Sequence, residues 1–213
     1  MKNNNYKPRI ADEMLSILLE AMGAVLIEGA KYCGKTTLAA QQAASVLYMA
    51  DPDTKAQNMA MAKTNIKRLL VGDTPRLIDE WQLVPQFWDA VRGEVDKRGE
   101  EGQFILTGSA VAPDDSDIYH SGTGRFGWLK LRTMSLWESG DSSGDVSLRA
   151  LFDGATEVDG ASSINLDRLA YLACRGGWPR GVINKNESAA LIQAKEYFEA
   201  VTRYDISRVD DVQ

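Results

Sequence analysis

The segment with the clearest chemical signature covers residues 29–36, which read Gly-Ala-Lys-Tyr-Cys-Gly-Lys-Thr. The spacing matches the pattern G-x-x-x-x-G-K-[ST] over its full length. The glycines let the backbone curl so that successive N–H groups point at phosphate oxygens, beside the positive end of a following helix. The alternative is an ordinary glycine-rich turn, but an apolar run before the segment and a helical pattern after it favour a phosphate-binding loop.

The residue types in this loop indicate how it would bind a nucleotide. Lys35 supplies a mobile positive charge for the β- and γ-phosphates, and the hydroxyl of Thr36 is an oxygen ligand of the kind that Mg²⁺ prefers. The other nucleotide-binding positions that we predict are Gly29, Ala30, Lys31, Tyr32, Cys33, Gly34 and Thr37. Cys33 is either a thiol activated by the helix start or a small residue that fills the loop, and we favour the second interpretation.

Two adjacent carboxylates, Asp79 and Glu80, close an apolar run about forty residues after Lys35. An acid at the end of such a strand can hold the Mg²⁺ shell, and its neighbour can orient and deprotonate an attacking water. We therefore predict that Asp79 is a metal ligand and that Glu80 is the general base. The alternative is a solvated acidic turn, which the position along the chain disfavours.

Two further polar positions are candidates for the same site. Either hydroxyl of the Thr107-Gly108-Ser109 turn can reach the γ-phosphate or the lytic water, and we favour Ser109 as the catalytic one. The alternative is an ordinary turn without a catalytic role, since these residue types are common in loops. Arg125 follows a polar loop, and its guanidinium would stabilise charge on the γ-phosphate of its own or a neighbouring subunit. A surface arginine without a catalytic role is an equally good interpretation of Arg125.

Short apolar runs alternate with segments of helical periodicity, and this alternation predicts an α/β fold with a parallel sheet covered by helices on both faces. The predicted strands are residues 24–27, 46–49, 76–79 and 104–107, with a weaker fifth at 128–132. The pattern changes after Trp137, where a Gly/Ser/Asp-rich stretch leads into mainly helical segments. We therefore predict a nucleotide-binding core over residues 1–137 and a small helical region over residues 138–213.

The composition narrows the function classes. A chain of 213 residues with a net charge of −6 has no overall attraction to nucleic acid or to an anionic membrane surface. It contains no apolar run long enough to span a membrane, and its start lacks the apolar core of a signal peptide, so we expect a cytoplasmic protein. With two cysteines and one histidine, neither a disulfide framework nor a zinc site is expected, and any metal would be held by oxygen ligands.

Taken in order, these motifs resemble a large prokaryotic family of predicted ATPases of the AAA+ superfamily, which carry an N-terminal ATPase domain and a C-terminal domain of unknown function. The resemblance spans nearly the whole chain. Its matching pieces are Glu28-Gly29-Ala30-Lys31-Tyr32-Cys33-Gly34-Lys35-Thr36-Thr37, Pro75-Arg76-Leu77-Ile78-Asp79-Glu80-Trp81-Gln82, Trp88-Asp89-Ala90-Val91-Arg92, Gly102-Gln103-Phe104-Ile105-Leu106-Thr107-Gly108-Ser109, His120-Ser121-Gly122-Thr123-Gly124-Arg125, Met134-Ser135-Leu136-Trp137-Glu138-Ser139 and Gly176-Gly177-Trp178-Pro179.

The resemblance implies a P-loop fold whose five-stranded sheet has the order 5-1-4-3-2, with ATP and Mg²⁺ as ligands. It implies the motif roles given above for Lys35, Thr36, Asp79 and Glu80, and it places Arg125 where the family has an arginine after the fourth strand. The turn at residues 176–179 resembles the family's lid segment, although it also fits a plain helix-stop turn.

The resemblance further implies a C-terminal domain beyond Gln213, which we expect this chain to lack. The expected function is Mg²⁺-dependent ATP hydrolysis coupled to that domain or to a partner, with nucleic acid as a partner only by family analogy and the oligomeric state open. One alternative is an ATP-gated binding switch with little turnover. A small-molecule kinase is the other, and the Asp-Glu pair with the Thr-Gly-Ser turn disfavours it because both point to water activation.

Overall fold

The computed structural model describes residues 6–109 and 122–205 of the chain, without the side chains of Ser109, Tyr204 and Asp205. The chain divides into two compact units, Met1–Arg132 and Thr133–Gln213. The sequence placed the boundary between its two regions slightly later, after Trp137. Each unit is described separately below.

The first unit is built on a five-stranded parallel sheet in the order β2-β3-β4-β1-β5. This is the predicted order counted from the opposite edge, so both the α/β class and the strand order are confirmed. The interior strand β1, between β4 and β5, is covered on both faces, which is why it appears in the sequence as an unbroken apolar run. The strands are β1 (Ala24–Gly29), β2 (Ser45–Tyr48), β3 (Arg76–Asp79), β4 (Phe104–Ser109) and β5 (Phe126–Lys130).

Helices of the first unit cover both faces of this sheet, and successive residues of each strand contribute to opposite faces. One core cluster packs Leu26 of β1 against a helix that contains Trp88, and the other packs Val25 of β1 against Leu15 and Leu38. The helices are α1 (Ala11–Ala21), α2 (Lys35–Gln42), α3 (Lys55–Asn65) and α4 (Phe87–Arg98), with 3-10 turns at Ile66–Leu70 and Trp81–Leu83.

The second unit is helical in its described part. Its helices are α5 (Leu136–Ser139), α6 (Leu148–Phe152), α7 (Leu166–Arg175), α8 (Pro179–Ile183) and α9 (Glu187–Ala200), followed by a π-helical turn at Val201–Asp205. Gly176 ends α7 with a positive φ of 68°, and Pro179 is the first residue of α8, so the Gly-Gly-Trp-Pro segment is locally a helix-stop and helix-start turn. No helix in the described part of the chain is long and apolar enough to cross a membrane.

Candidate functional site

The predicted phosphate loop joins the carboxyl end of β1 to the first turn of α2. Gly34, the residue before α2, has φ 104°, a left-handed conformation that strains any residue with a Cβ atom. A Cβ atom on Gly29 would lie 2.2 Å from the carbonyl oxygen of Leu131, so the loop also starts where backbone approaches backbone closely. Both glycines of the motif are therefore required by the local geometry.

Lys35 is buried at the start of α2, and its side chain folds back onto the loop. The Nζ atom donates hydrogen bonds to the carbonyl oxygens of Gly29 at 2.8 Å and Ala30 at 2.9 Å. A full positive charge therefore lies against the loop backbone. Ala30, Lys31, Tyr32 and Thr37 are exposed around it, and Tyr32 has a positive φ of 61°.

Two elements converge on the carboxylate of Asp79, which ends β3. The hydroxyl of Thr36, from α2, donates to Oδ1 of Asp79 at 2.7 Å, and the hydroxyl of Thr107, from β4, donates to the same oxygen at 2.6 Å. Thr107 faces Asp79 in the parallel register of β3 and β4 and is only 1% exposed. The structure thus brings together the two predicted metal ligands, Thr36 and Asp79, and adds a hydroxyl that the sequence interpretation had ranked below Ser109.

Ser109 ends β4, where its backbone lies opposite Gly29 in the sheet. Its side chain lies outside the described residues, so a catalytic role for Ser109 stays a prediction.

Glu80 leaves β3 directly after Asp79 in a left-handed conformation, with φ 58° and ψ 44°. The residues that follow it form the 3-10 turn Trp81–Leu83. Within that turn Nε2 of Gln82 donates a hydrogen bond to Oε2 of Glu80. The predicted base therefore lies beside the predicted metal ligand and is contacted by an amide to which the sequence interpretation gave no role.

The structure does not bring Arg125 to the phosphate loop of its own chain. Its carbonyl oxygen accepts a hydrogen bond from the N–H of Ala24, so Arg125 lies where β1 begins, whereas the loop follows the carboxyl end of β1. Its Nε donates to Oδ1 of Asp96 in α4 at 2.8 Å, a contact that raises the pKa of Arg125 above its ordinary value. A catalytic role for Arg125, toward the γ-phosphate of its own or a neighbouring subunit, stays a prediction.

Cys33 is a buried thiol inside the loop, with Sγ 3.6 Å from the carbonyl oxygen of Leu131. Burial raises the pKa of this thiol, and the positive charges of Lys35 and Arg9 offset that effect only in part. The thiol therefore stays protonated near neutral pH and serves as a small packing group, the interpretation that we favoured from the sequence.

Arg9 is a buried residue near the site that carries no motif signal. Its Nη1 donates to the carbonyl oxygen of Cys33 at 3.0 Å, and its Nη2 donates to that of Arg132 at 2.8 Å. The guanidinium thus ties the loop backbone to the segment after β5. Because Arg9 precedes every recognisable motif and contacts only backbone atoms in these bonds, no sequence pattern marks it.

The fold has counterparts among solved structures. The Walker-type ATPase PABY2304 of Pyrococcus abyssi is similar with a TM-score of 0.56 and 13% identity, over 99% of this chain and 77% of that chain. A signal transduction ATPase with numerous domains and a tetratricopeptide repeat sensor, PH0952 of Pyrococcus horikoshii, has a TM-score of 0.45 and 15% identity over 90% of this chain and 33% of that chain. PCH-2 of C. elegans has a TM-score of 0.37 and 14% identity over 82% of this chain and 61% of that chain. No curated protein matches this sequence.

A family model described as an AAA domain matches residues 22–139, which is more than half of the chain. The matched range contains the phosphate loop, Asp79, Glu80 and the whole of β4, and thus both threonines that donate to Asp79. The agreement of family, fold and local geometry leads to one conclusion: this chain belongs to the AAA-domain family and carries a P-loop ATPase domain of that type.

Proposed function

We propose that this domain binds ATP with Mg²⁺ and hydrolyses it to ADP and phosphate. The observation that carries the proposal is the convergence of the Thr36 and Thr107 hydroxyls on Asp79, next to a loop whose buried cation is Lys35. A carboxylate and a hydroxyl beside a phosphate-binding loop are the groups that this chemistry needs.

The residues that would hold the magnesium ion are Thr36 and Asp79. Both offer hard oxygen atoms, and these atoms lie 2.7 Å apart, so one ion can contact both once the Thr36 proton turns away. Mg²⁺ is commonly held by one or two protein oxygens, with phosphates and waters completing the shell. When bound, the ion neutralises negative charge on the β- and γ-phosphates.

The chain's own residues supply the remaining steps. The N–H groups of the loop and the ammonium of Lys35 bind the phosphates, while the carboxylate of Glu80 accepts a proton from the attacking water. Ser109 is proposed to contact that water or the γ-phosphate. Arg125 is proposed to act on the nucleotide of a neighbouring chain, since it lies where β1 begins and the loop follows the other end of that strand.

We further propose that nucleotide state is coupled to a partner or to an additional domain of the same protein. The AAA-domain family and the P-loop fold support a nucleotide-dependent module, and a module of this kind works by altering its affinity for something else. Turnover therefore need not be fast in the chain alone, and binding and hydrolysis have to be measured separately.

The decisive experiment separates binding from hydrolysis with two substitutions. Lys35→Ala removes the buried cation and should weaken ATP binding by at least about tenfold, because a charged hydrogen bond contributes about 1.5–3 kcal/mol. Glu80→Gln should retain binding and lower kcat by about 100-fold or more, because it removes the general base. Calorimetry gives the affinities and phosphate release gives kcat.

The matched controls are Lys63→Ala and Glu20→Gln, which change exposed side chains on α3 and α1. Both should behave as the wild-type chain. If the wild-type chain and Glu80→Gln both bind ATP but hydrolyse it at the same negligible rate, the proposed hydrolysis is contradicted. The domain would then be an ATP-gated switch.

A further inference from the structure

The side chain that contacts the proposed general base belongs to Gln82. Its Nε2 donates a hydrogen bond to Oε2 of Glu80, and both side chains are half-buried. The backbone supports this contact, since the N–H of Leu83 donates to the carbonyl oxygen of Glu80 at 3.1 Å. The base and the amide thus belong to one tight turn.

The turn is anchored by aromatic packing. Trp81, between the two residues, is buried, and its ring centroid lies 5.5 Å from that of Trp88 in α4. Trp88 is itself stacked on Phe126 of β5, with centroids 4.1 Å apart. Because the tryptophan is packed in the core, the Gln82 amide is presented from a fixed backbone.

The side chain of Gln82 also passes directly over the end of β4. A Cβ atom on Gly108 would lie 2.4 Å from Oε1 of Gln82 and 3.0 Å from Nε1 of Trp81. Gly108 follows Thr107, the residue that donates to Asp79. The amide therefore lies between the carboxylate of Glu80 and the strand that helps to hold the predicted metal ligand.

We propose that Gln82 is a positioning residue that holds the carboxylate of Glu80 through Oε2 and leaves Oε1 to accept the proton of the attacking water. This inference rests on the proposed hydrolysis and on Glu80 as its base. A glutamate side chain has several rotatable bonds, and a base that is displaced by about 1 Å loses a large part of its rate advantage. A neutral amide fixes the carboxylate and leaves its negative charge in place, whereas a lysine or arginine would neutralise that charge.

The first test is the effect of Gln82 substitutions on turnover and affinity. Gln82→Ala should lower kcat by about tenfold to 100-fold and leave the Kd for Mg-ATP within about twofold, because the group acts on the base and not on the nucleotide. Gln82→Glu keeps the size of the side chain but replaces the amide donor by a second carboxylate, so its loss should be at least as large. Gln86→Ala, an exposed glutamine four residues later, is the matched control and should equal the wild type.

A double-mutant cycle asks whether Gln82 acts through Glu80. In the Glu80→Gln background, Gln82→Ala should cause no further loss of kcat, since the carboxylate that it positions is gone. An additional loss of the same size as in the wild-type background would overturn the inference. A wild-type kcat in Gln82→Glu would also overturn it, because it indicates that the side chain acts by packing alone. A tenfold higher Kd for Mg-ATP in Gln82→Ala would overturn it as well, because it indicates direct contact with the nucleotide.

A measurement that needs no turnover tests the contact itself. In the wild-type chain the side-chain amide resonances of Gln82, assigned by comparison with Gln82→Ala, should shift when Glu80→Ala removes the acceptor. Unchanged resonances would overturn the inference even in an active enzyme. A wild-type chain that binds no nucleotide would instead contradict the proposed function, so the two failures are distinguishable.

Discussion

Two threonine hydroxyls share one carboxylate oxygen at the end of β3. Thr36 and Thr107 donate to Oδ1 of Asp79 at 2.7 Å and 2.6 Å. Hydrogen bonds to a charged group contribute about 1.5–3 kcal/mol each, so together they fix the rotamer of the carboxylate. The predicted metal ligand is thereby held in place by two elements, α2 and β4.

Thr107→Val tests this arrangement because valine has the shape of threonine but no hydroxyl. The Asp79 carboxylate then keeps only Thr36, and we expect Mg-ATP to bind about tenfold more weakly, in line with the loss of one charged hydrogen bond. Thr107→Ser retains a hydroxyl and should stay within about threefold of the wild type. Calorimetric titration measures both, and equal affinities for the valine and serine variants would refute the role of the hydroxyl.

For individual residues, the sequence predicts a role where the spacing along the chain defines it. It is less informative where the role depends on which residues face each other across the sheet. The glycines, Lys35 and Thr36 could be identified because their spacing alone defines the loop. The choice between Thr107 and Ser109 depends on which residue of β4 faces Asp79 across the sheet, and that register is not encoded in a local pattern. Arg125 was ambiguous because its partner, Asp96, lies in another element.

In the second unit, Asp141 connects the end of α5 to α7. Its carboxylate accepts hydrogen bonds from Arg168 at 2.9 Å and Arg175 at 3.0 Å, and the side chains of Asp141 and Arg175 are only 12% and 6% exposed. Burial by itself raises the pKa of Asp141, but the hydrogen bonds from Ser139, Arg168 and Arg175 outweigh it and hold this pKa below its ordinary value. The ionised form therefore stabilises the folded unit.

Asp141→Asn should destabilise the second unit by about 2–4 kcal/mol at pH 7, because it leaves a buried arginine without its counter-charge. A carboxyl whose pKa is lower in the folded state stabilises the fold above its unfolded pKa, and that contribution disappears as the pH falls through the folded pKa. The stability difference between the wild type and the variant should therefore be full at pH 5–7 and shrink below about pH 4.

Chemical denaturation at several pH values measures this difference. Asp153→Asn is the matched control, since its ion pair with Arg149 is 4.0 Å long and highly exposed, and such pairs contribute about 0–1 kcal/mol. If wild type and Asp141→Asn have the same free energy of unfolding at pH 7, or if their difference grows in acid, Asp141 does not stabilise the unit in its ionised form.

The boundaries of the helices and strands show where the sequence pattern predicts the structure and where tertiary packing determines it. The buried strands appeared as apolar runs because both faces of the sheet are covered. The fifth strand begins at Phe126, earlier than predicted, because Gly127 lowers the local strand signal but allows close packing. A Cβ atom at Gly127 would lie 3.0 Å from Cδ2 of Leu18 in α1. Helix α3 ends at Asn65 and the chain continues as the 3-10 turn Ile66–Leu70, a change of geometry that helical periodicity does not resolve.

On the scale of the whole molecule, the residues of the proposed nucleotide site that the structure describes all belong to the first unit. The phosphate loop, Asp79, Glu80 and Thr107 lie within Met1–Arg132, and Arg125 lies in the same unit where β1 and β5 begin. Nucleotide binding is therefore expected to depend on the first unit.

Arg125→Ala should leave the affinity of a single chain for Mg-ATP unchanged, because the guanidinium contacts Asp96 and not the phosphate loop. If it acts on a neighbouring chain, the wild-type hydrolysis rate per chain should rise with protein concentration, and this rise should be absent in Arg125→Ala. Calorimetry and a concentration series of phosphate release measure the two effects. A weakened Kd in dilute Arg125→Ala would show that Arg125 does act on its own site.

The central claim is that backbone N–H groups, Lys35 and the Thr36–Asp79 pair form a site for a magnesium–nucleotide complex. Calorimetric titration of the wild-type chain with ATP, ADP and GTP, with Mg²⁺ and with a chelator, tests it most directly. We expect saturable binding of ATP that is tighter with Mg²⁺ than without it. A chain that is folded by circular dichroism but releases no heat with any magnesium–nucleotide complex would contradict the claim.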